Sequence, residues 1–192
     1  MDKHEYRKKA LELRDGIPFE VREKQSDIIA SKLLGSEEVK KADSILIYYS
    51  YRSEVSTEGL IERLIRMGKK VYCPKVLDPK EGLMEFYRIT DMSQISEGFH
   101  GIPEPVTSEV YEVGAGREHT DTLMIIPGVA FDRECNRIGY KGGFYDRYIP
   151  RVPGAALIAI AFDEQMFDDV FPMEAHDIKP KIIITPTKQL RM

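Results

Sequence analysis

Seven residues set the tightest limit on how this chain folds. Ser44-Ile45-Leu46-Ile47-Tyr48-Tyr49-Ser50 has no polar alternation in its middle, so a strand made from it needs apolar cover on both faces and belongs at the centre of a sheet. Ser56 or Thr57 is then placed to cap a helix whose apolar positions Leu60, Ile61, Leu64 and Ile65 end at Gly68. Lys70 to Cys73 follows as a short strand. Strand, helix and strand in that order imply a parallel pair joined by a right-handed crossover. In such open sheets ligands gather beyond the carboxyl ends of the strands, which is where Glu54 falls.

The remaining pattern extends this core. Asp2 and Glu5 have the spacing of a helix-start box, and good helix formers run from Lys3 to Leu13 before Gly16. Pro18, then Val21, Ile28, Ile29 and Leu33 at helical spacing, then Gly35 outline a second helix. Leu83 to Ile89 alternates as an edge or half-buried strand; Thr122 to Ile126, Ala155 to Ala161 and Lys181 to Thr185 are apolar strands, and Phe162 to Gln165 marks a strand end. Asp91 to Thr120 is expected to be a long surface connection, with Ile102-Pro103-Glu104-Pro105 extended and the whole placed to cover part of a ligand cleft. The expected architecture is α/β with three layers: a mostly parallel or mixed central sheet flanked by helices, in a single domain over residues 1–192.

Composition excludes several classes. A formal net charge of −4 argues against a general nucleic-acid binder. Cys73 and Cys135 are far apart and lack metal-type spacing, so neither a disulfide framework nor a zinc site is expected, and a reducing cytoplasmic setting fits. The polar start Met1-Asp2-Lys3-His4-Glu5 is unlike a signal peptide, and no apolar run reaches the ~18 residues of a membrane span.

Chemistry concentrates between Pro127 and Arg147. An apolar strand enters a Pro-Gly turn, and Gly139, Gly142 and Gly143 then lead into Phe144, Tyr145, Asp146 and Arg147. Glycines let backbone approach a ligand, successive N–H groups form a concavity for phosphate, and a helix opening at Gly142 or Gly143 would add its dipole. Arg137, Lys141 and Arg147 add positive charge, while Asp146 is a hard oxygen donor suited to phosphate-bound Mg²⁺. The stretch matches neither the P-loop nor the Gly-x-Gly-x-x-Gly spacing, and glycine clusters often mark plain turns. Lys3 and Arg7 share a helix face on which they can grip a polyphosphate or simply meet solvent.

Gly128-Val129-Ala130-Phe131-Asp132, then Asn136-Arg137-Ile138-Gly139-Tyr140, then Gly142-Gly143-Phe144-Tyr145-Asp146-Arg147 resembles the signature of the 5-formyltetrahydrofolate cyclo-ligases, also called methenyltetrahydrofolate synthetases. Two positions depart from it: Lys141 replaces the middle glycine of a Gly-x-Gly-x-Gly run, and Cys135 stands where a glycine usually precedes Asn-Arg. Both bear on local geometry, because a residue with a Cβ is uncomfortable at positive φ.

The resemblance implies an ATP- and Mg²⁺-dependent ligase that converts 5-formyltetrahydrofolate to 5,10-methenyltetrahydrofolate, acting in the cytoplasm as a monomer. It implies ATP contacts from Lys3, Arg7 and the run Arg137, Ile138, Gly139, Tyr140, Lys141, Gly142, Gly143, Phe144 and Tyr145, with Arg137 and Lys141 carrying the catalytic charge neutralisation. Tyr49, Glu54, Tyr140, Lys141, Gly142, Gly143 and Phe144 would meet the folate, and Asp146 with Asp177 would hold Mg²⁺. His176 beside Asp177 receives no role beyond that of a surface histidine, and Arg147 is expected to support the loop or Asp146. Two other classes stay open on sequence grounds: a sugar-phosphate isomerase or CoA-transferase-like enzyme on a similar layout, and a non-catalytic folate- or nucleotide-binding module.

Overall fold

The computed structural model describes residues 1–98, 101–114, 116–175 and 177–192. In chain order the helices and strands are α1 (Lys3–Asp15), α2 (Phe19–Leu34), α3 (Glu37–Lys41), β1 (Ser44–Ile47), α4 (Glu58–Arg66), β2 (Lys70–Asp78), β3 (Leu83–Ile89), β4 (Ile95–Glu97), β5 (Pro103–Pro105), β6 (Thr122–Ile126), β7 (Ala130–Asp132), β8 (Arg137–Ile138), α5 (Phe144–Tyr148), β9 (Ala156–Ile160), β10 (Met166–Phe167), β11 (Ile182–Ile184) and β12 (Gln189–Arg191).

Seven strands form the central sheet in the order β12-β11-β9-β6-β1-β2-β3. It is mixed as expected: β11, β9, β6, β1 and β2 run parallel, and β12 and β3 close the edges antiparallel. Alternate side chains of the parallel strands enter two separate cores. Ile45, Ile47, Leu123, Ile125, Ile158 and Ile160 pack against Ile29, Leu33, Leu60, Ile61 and Leu64 of α2 and α4. Leu46, Met124, Ile126, Ala159 and Ile183 face Phe86, Phe131 and Tyr148 on the opposite side. This two-sided burial is why β1 and β6 carry no polar alternation. Among the described residues no helix is long and apolar enough to cross a membrane.

The second core depends on a small sheet, β10-β7-β8, that the sequence did not announce, its strands having only two or three residues each. Tyr6 and Ala10 of α1 pack on Val129, Ala130, Ile138 and Phe171 there. That contact fixes α1 over the carboxyl end of the main sheet's central strands.

Other expectations need correction. Val21 and Ile28 point outward, 40% and 47% exposed, because the inner face of α2 is set by Ser26, Ile29, Ala30 and Leu33. Thr57 precedes α4 but does not cap it with its side chain. It exchanges hydrogen bonds with Ser50 instead, Ser50 N donating to Thr57 Oγ1 at 2.8 Å and Thr57 N to Ser50 Oγ at 3.1 Å, which pins the β1–α4 connection into a loop. Strand β2 continues past Cys73 to Asp78. Pro74 does not end it because that part extends beyond its pairing with β1 and its one strand partner is β3. The 91–120 connection is less bare than expected: β4 and β5 form a hairpin, and Glu109 to Tyr111 runs back along β3, covering the open sheet edge. His176 lies outside the described residues, as do Phe99, His100 and Ala115 of that connection.

Candidate active site

A cavity of about 760 Å³ opens above the carboxyl ends of β1 and β6. Stretches remote in sequence wall it: one face of α1, the loop after β1, Pro74, Val76 and Met84 of β2 and β3, the β5 hairpin arm, the segment from Pro127 into α5, and Asp177. A volume of this size accommodates a drug-sized ligand or larger.

The capping box of Asp2 and Glu5 starts α1 directly at Lys3. Lys3, Arg7, Leu11 and Arg14 then fall on the turns that face the cavity. Arg7 Nε donates to the Gly139 carbonyl at 2.8 Å, tying the helix to the glycine loop. Lys3 Nζ donates to Asp177 Oδ2 at 2.5 Å, which also accepts from the Glu174 amide at 2.6 Å.

Asp132 explains the Gly128–Asp132 motif structurally. Its fully buried carboxylate accepts from the amides of Glu134, Asn136 and Phe171 and from Asn136 Nδ2, at 2.7 to 2.9 Å. These bonds fold the turn that delivers Arg137 to the cavity. Cys135 in that turn has φ +59 and Lys141 has φ +108, so both residues that replace family glycines stand in the conformations that favour glycine. Gly142 and Gly143 continue at φ +92 and +63, and Gly143 opens α5 as expected. A Cβ on Gly142 would lie 2.9 Å from the Phe144 ring, so the loop packs beneath that aromatic only as glycine.

Arg137 is buried, donates to Asp146 Oδ1 at 2.8 Å and to the Pro127 carbonyl at 3.2 Å, and leaves Nε without a partner among the described residues. The Ile178 amide donates to the same Asp146 oxygen at 3.3 Å. Asp146 therefore lies against the backbone of Ile178, the residue after Asp177, and each of the two carboxylates faces a cation. No group of three or more His, Cys, Asp or Glu placed for a metal occurs among the described residues. Two oxygen donors suit Mg²⁺, which takes one or two carboxylates and completes its shell with phosphate oxygens and water. Arg147 supports the loop by donating to the Gly142 carbonyl, not to Asp146.

In the loop after β1, Glu54 accepts from the Tyr51 amide at 2.9 Å. Burial raises its pKa above the ordinary 4.5, while the Tyr51 hydrogen bond, Arg14 and Tyr140 pull the other way. Burial also pushes the hydroxyls of Tyr49, Tyr140 and Tyr145 well above their usual range, so they enter the cavity as neutral hydrogen-bonding groups.

Every residue assigned from sequence to ATP, folate or Mg²⁺ lines this one cavity except Gly142, and Arg147 and Cys135 do not line it either. Sequence reasoning missed Arg14, Ser53 and Glu104. Arg14 is 3% exposed and donates to Ser53 Oγ at 3.0 Å; its position two turns after Arg7 was the available signal. Glu104, buried in the hairpin arm, accepts from Val76 N at 3.0 Å and so caps the strand edge that β1 leaves open.

The chain matches the sequence profile of the 5-formyltetrahydrofolate cyclo-ligase family over residues 1–186. A probable 5-formyltetrahydrofolate cyclo-ligase of Schizosaccharomyces pombe is 30% identical, with 87% of this chain and 86% of that protein covered. The 5-formyltetrahydrofolate cyclo-ligase of Escherichia coli K12 is also 30% identical, with 83% and 86% covered. The solution structure of Aquifex aeolicus 5,10-methenyltetrahydrofolate synthetase superposes with a TM-score of 0.84 at 30% identity, covering 100% of this chain and 93% of that one.

Proposed function

The chain belongs to the 5-formyltetrahydrofolate cyclo-ligase family, and from that premise we propose that it cyclises 5-formyltetrahydrofolate to 5,10-methenyltetrahydrofolate with conversion of ATP to ADP and phosphate. The observation that carries the proposal is one cavity that brings a basic face of α1 and a glycine loop together with a half-buried carboxylate and several tyrosines. One wall suits polyphosphate, and the other suits a flat heterocycle with paired N–H donors.

The formyl oxygen is a poor leaving group. Transfer of the γ-phosphoryl to that oxygen allows it to depart as phosphate while the neighbouring folate nitrogen bonds to the formyl carbon. The protein's part is positioning and neutralising charge. Lys3, Arg7, Arg137 and Lys141 would hold phosphate oxygens, with the backbone from Gly139 to Gly143 beneath them. Asp146 and Asp177 would hold Mg²⁺, which when bound supplies further neutralisation of phosphate charge. Lys3 and Arg137, now paired with those carboxylates, would turn to phosphate when nucleotide enters. Glu54 would accept the pterin's adjacent N–H donors, and Tyr49, Tyr140 and Phe144 would pack on its ring. The proposal includes action as a monomer in the cytoplasm, a setting that accords with two free, buried cysteines.

The test is incubation of the purified protein with 5-formyltetrahydrofolate, ATP and Mg²⁺. Appearance of the conjugated methenyl chromophore, with phosphate released only when all three are present, is expected. Turnover of a sugar phosphate without nucleotide, or ligand binding with no product, would replace the proposal with one of the other classes.

A further inference from the structure

Arg14 does something the reaction scheme does not use. It is a guanidinium with almost no solvent contact, so its charge has to be matched inside the protein. Its Nε is anchored on Ser53 Oγ, which also bonds Asp15. Its guanidinium lies 5.4 Å from the centre of the Tyr140 ring, within cation–π range. Glu54 hydrogen-bonds with the Tyr140 hydroxyl and feels the charge of Arg14. Tyr140 belongs to the glycine loop and Glu54 to the loop after β1, and Arg14 shares its helix with Lys3 and Arg7.

We propose that Arg14 is a positioning residue that couples the two substrate sites, fixing Glu54 for the pterin and Tyr140 on the phosphate loop in one register. The inference rests on the cyclo-ligase reading above. Its consequence is that nucleotide, by engaging the glycine loop, improves folate binding through Tyr140, Arg14 and Glu54. Linkage then requires folate to improve nucleotide binding by the same factor.

Electrostatics supplies a readout that loss of packing alone would not move. Glu54 is faced by the Tyr51 amide, by Arg14, and by the hydroxyls of Tyr140, Tyr48 and Tyr145. Arg14 is the cation among these and favours the charged carboxylate that the pterin needs. Without it the acidic limb of kcat/KM for folate should move to higher pH.

The experiment measures that pH profile, together with folate and nucleotide affinities alone and combined, in the parent, Arg14→Met and Ser53→Ala. Arg14→Met should lower kcat/KM for folate by about tenfold or more, as expected for one lost charge-assisted contact, shift the acidic limb upward and abolish mutual enhancement of binding. Ser53→Ala keeps the charge but frees the fork, so it should weaken the mutual enhancement while leaving the acidic limb in place; it also serves if Arg14→Met fails to fold. An active parent whose enhancement survives Ser53→Ala, or whose acidic limb is unmoved in a folded Arg14→Met, overturns the role of Arg14 alone. A parent inactive on formylated folate overturns the cyclo-ligase reading and this inference with it.

Discussion

Replacing Glu54 by Gln separates recognition from stability in a single atom exchange. The parent carboxylate accepts the Tyr51 amide at 2.9 Å and has a second oxygen for the ligand. In Glu54→Gln the amide oxygen can keep the Tyr51 bond, which turns the NH₂ group toward the pterin's own donors. Two charge-assisted hydrogen bonds are lost at roughly 1.5–3 kcal/mol each, and taking the lower bound gives about 3 kcal/mol, on the order of a hundredfold in kcat/KM for folate. KM for ATP should stay near the parent value. Stability should move the other way. Because burial raises the Glu54 pKa, its folded form binds a proton more readily than the unfolded chain, so its stabilising contribution is complete below the ordinary 4.5 and is lost as pH rises through the raised value. Glu54→Gln should therefore melt higher than the parent at neutral pH, with the gap closing in acid. Steady-state kinetics and thermal scans across pH test both halves. A folate kcat/KM within about threefold of the parent, under ~0.7 kcal/mol, would refute the pterin contact.

The other predictions address phosphate, metal and scaffold. Asp146→Asn can still accept from Arg137 and Ile178, so the fold should persist while the Mg²⁺ needed for half-maximal activity rises by at least about tenfold, the scale seen on loss of groups that only support a metal ligand; an unchanged titration would remove Asp146 from the metal site. Lys141→Gly relieves a residue at φ +108, a strain of about 1–3 kcal/mol against about 0.5–1 for glycine's extra freedom when unfolded, so stability should hold or rise. If Lys141 contacts phosphate, KM for ATP should rise sharply; no change would mean it merely occupies the loop. Asp132→Ala strands four donor groups, three of them buried, and should cost about 4 kcal/mol, lowering Tm by roughly 10 °C, whereas a drop of a degree or two would refute its bracing of the loop.

Much of the site was legible because its pieces are local. The Lys3 and Arg7 spacing needs only a helix, and the capping box at Asp2 guarantees one. The sequence marked Cys135 and Lys141 as the positions where local geometry was at stake, and both stand at positive φ. Contacts between distant segments left weaker traces. Asp132 looked like part of a signature, and only the fold shows its carboxylate gathering donors from Glu134, Asn136 and Phe171. Arg14 drew no reading, since nothing within a turn of it indicates that Ser53 and Tyr140 will enclose it. The hairpin of Ile95–Glu97 and Pro103–Pro105 was invisible because three-residue strands have no period to detect.

What the sequence determined by itself is the layered sheet. Uninterrupted apolar runs such as Ile45 to Ile47 and Leu123 to Ile126 can be buried on both faces only when helices cover both sides, whatever their neighbours are. What tertiary structure alone decided is the meeting of Lys3, Arg14, Glu54, Arg137 and Asp146 around one cavity. Propensity and periodicity act over a few residues, whereas that convergence depends on Tyr6 and Ala10 docking on the small sheet, a packing equilibrium between segments more than a hundred residues apart.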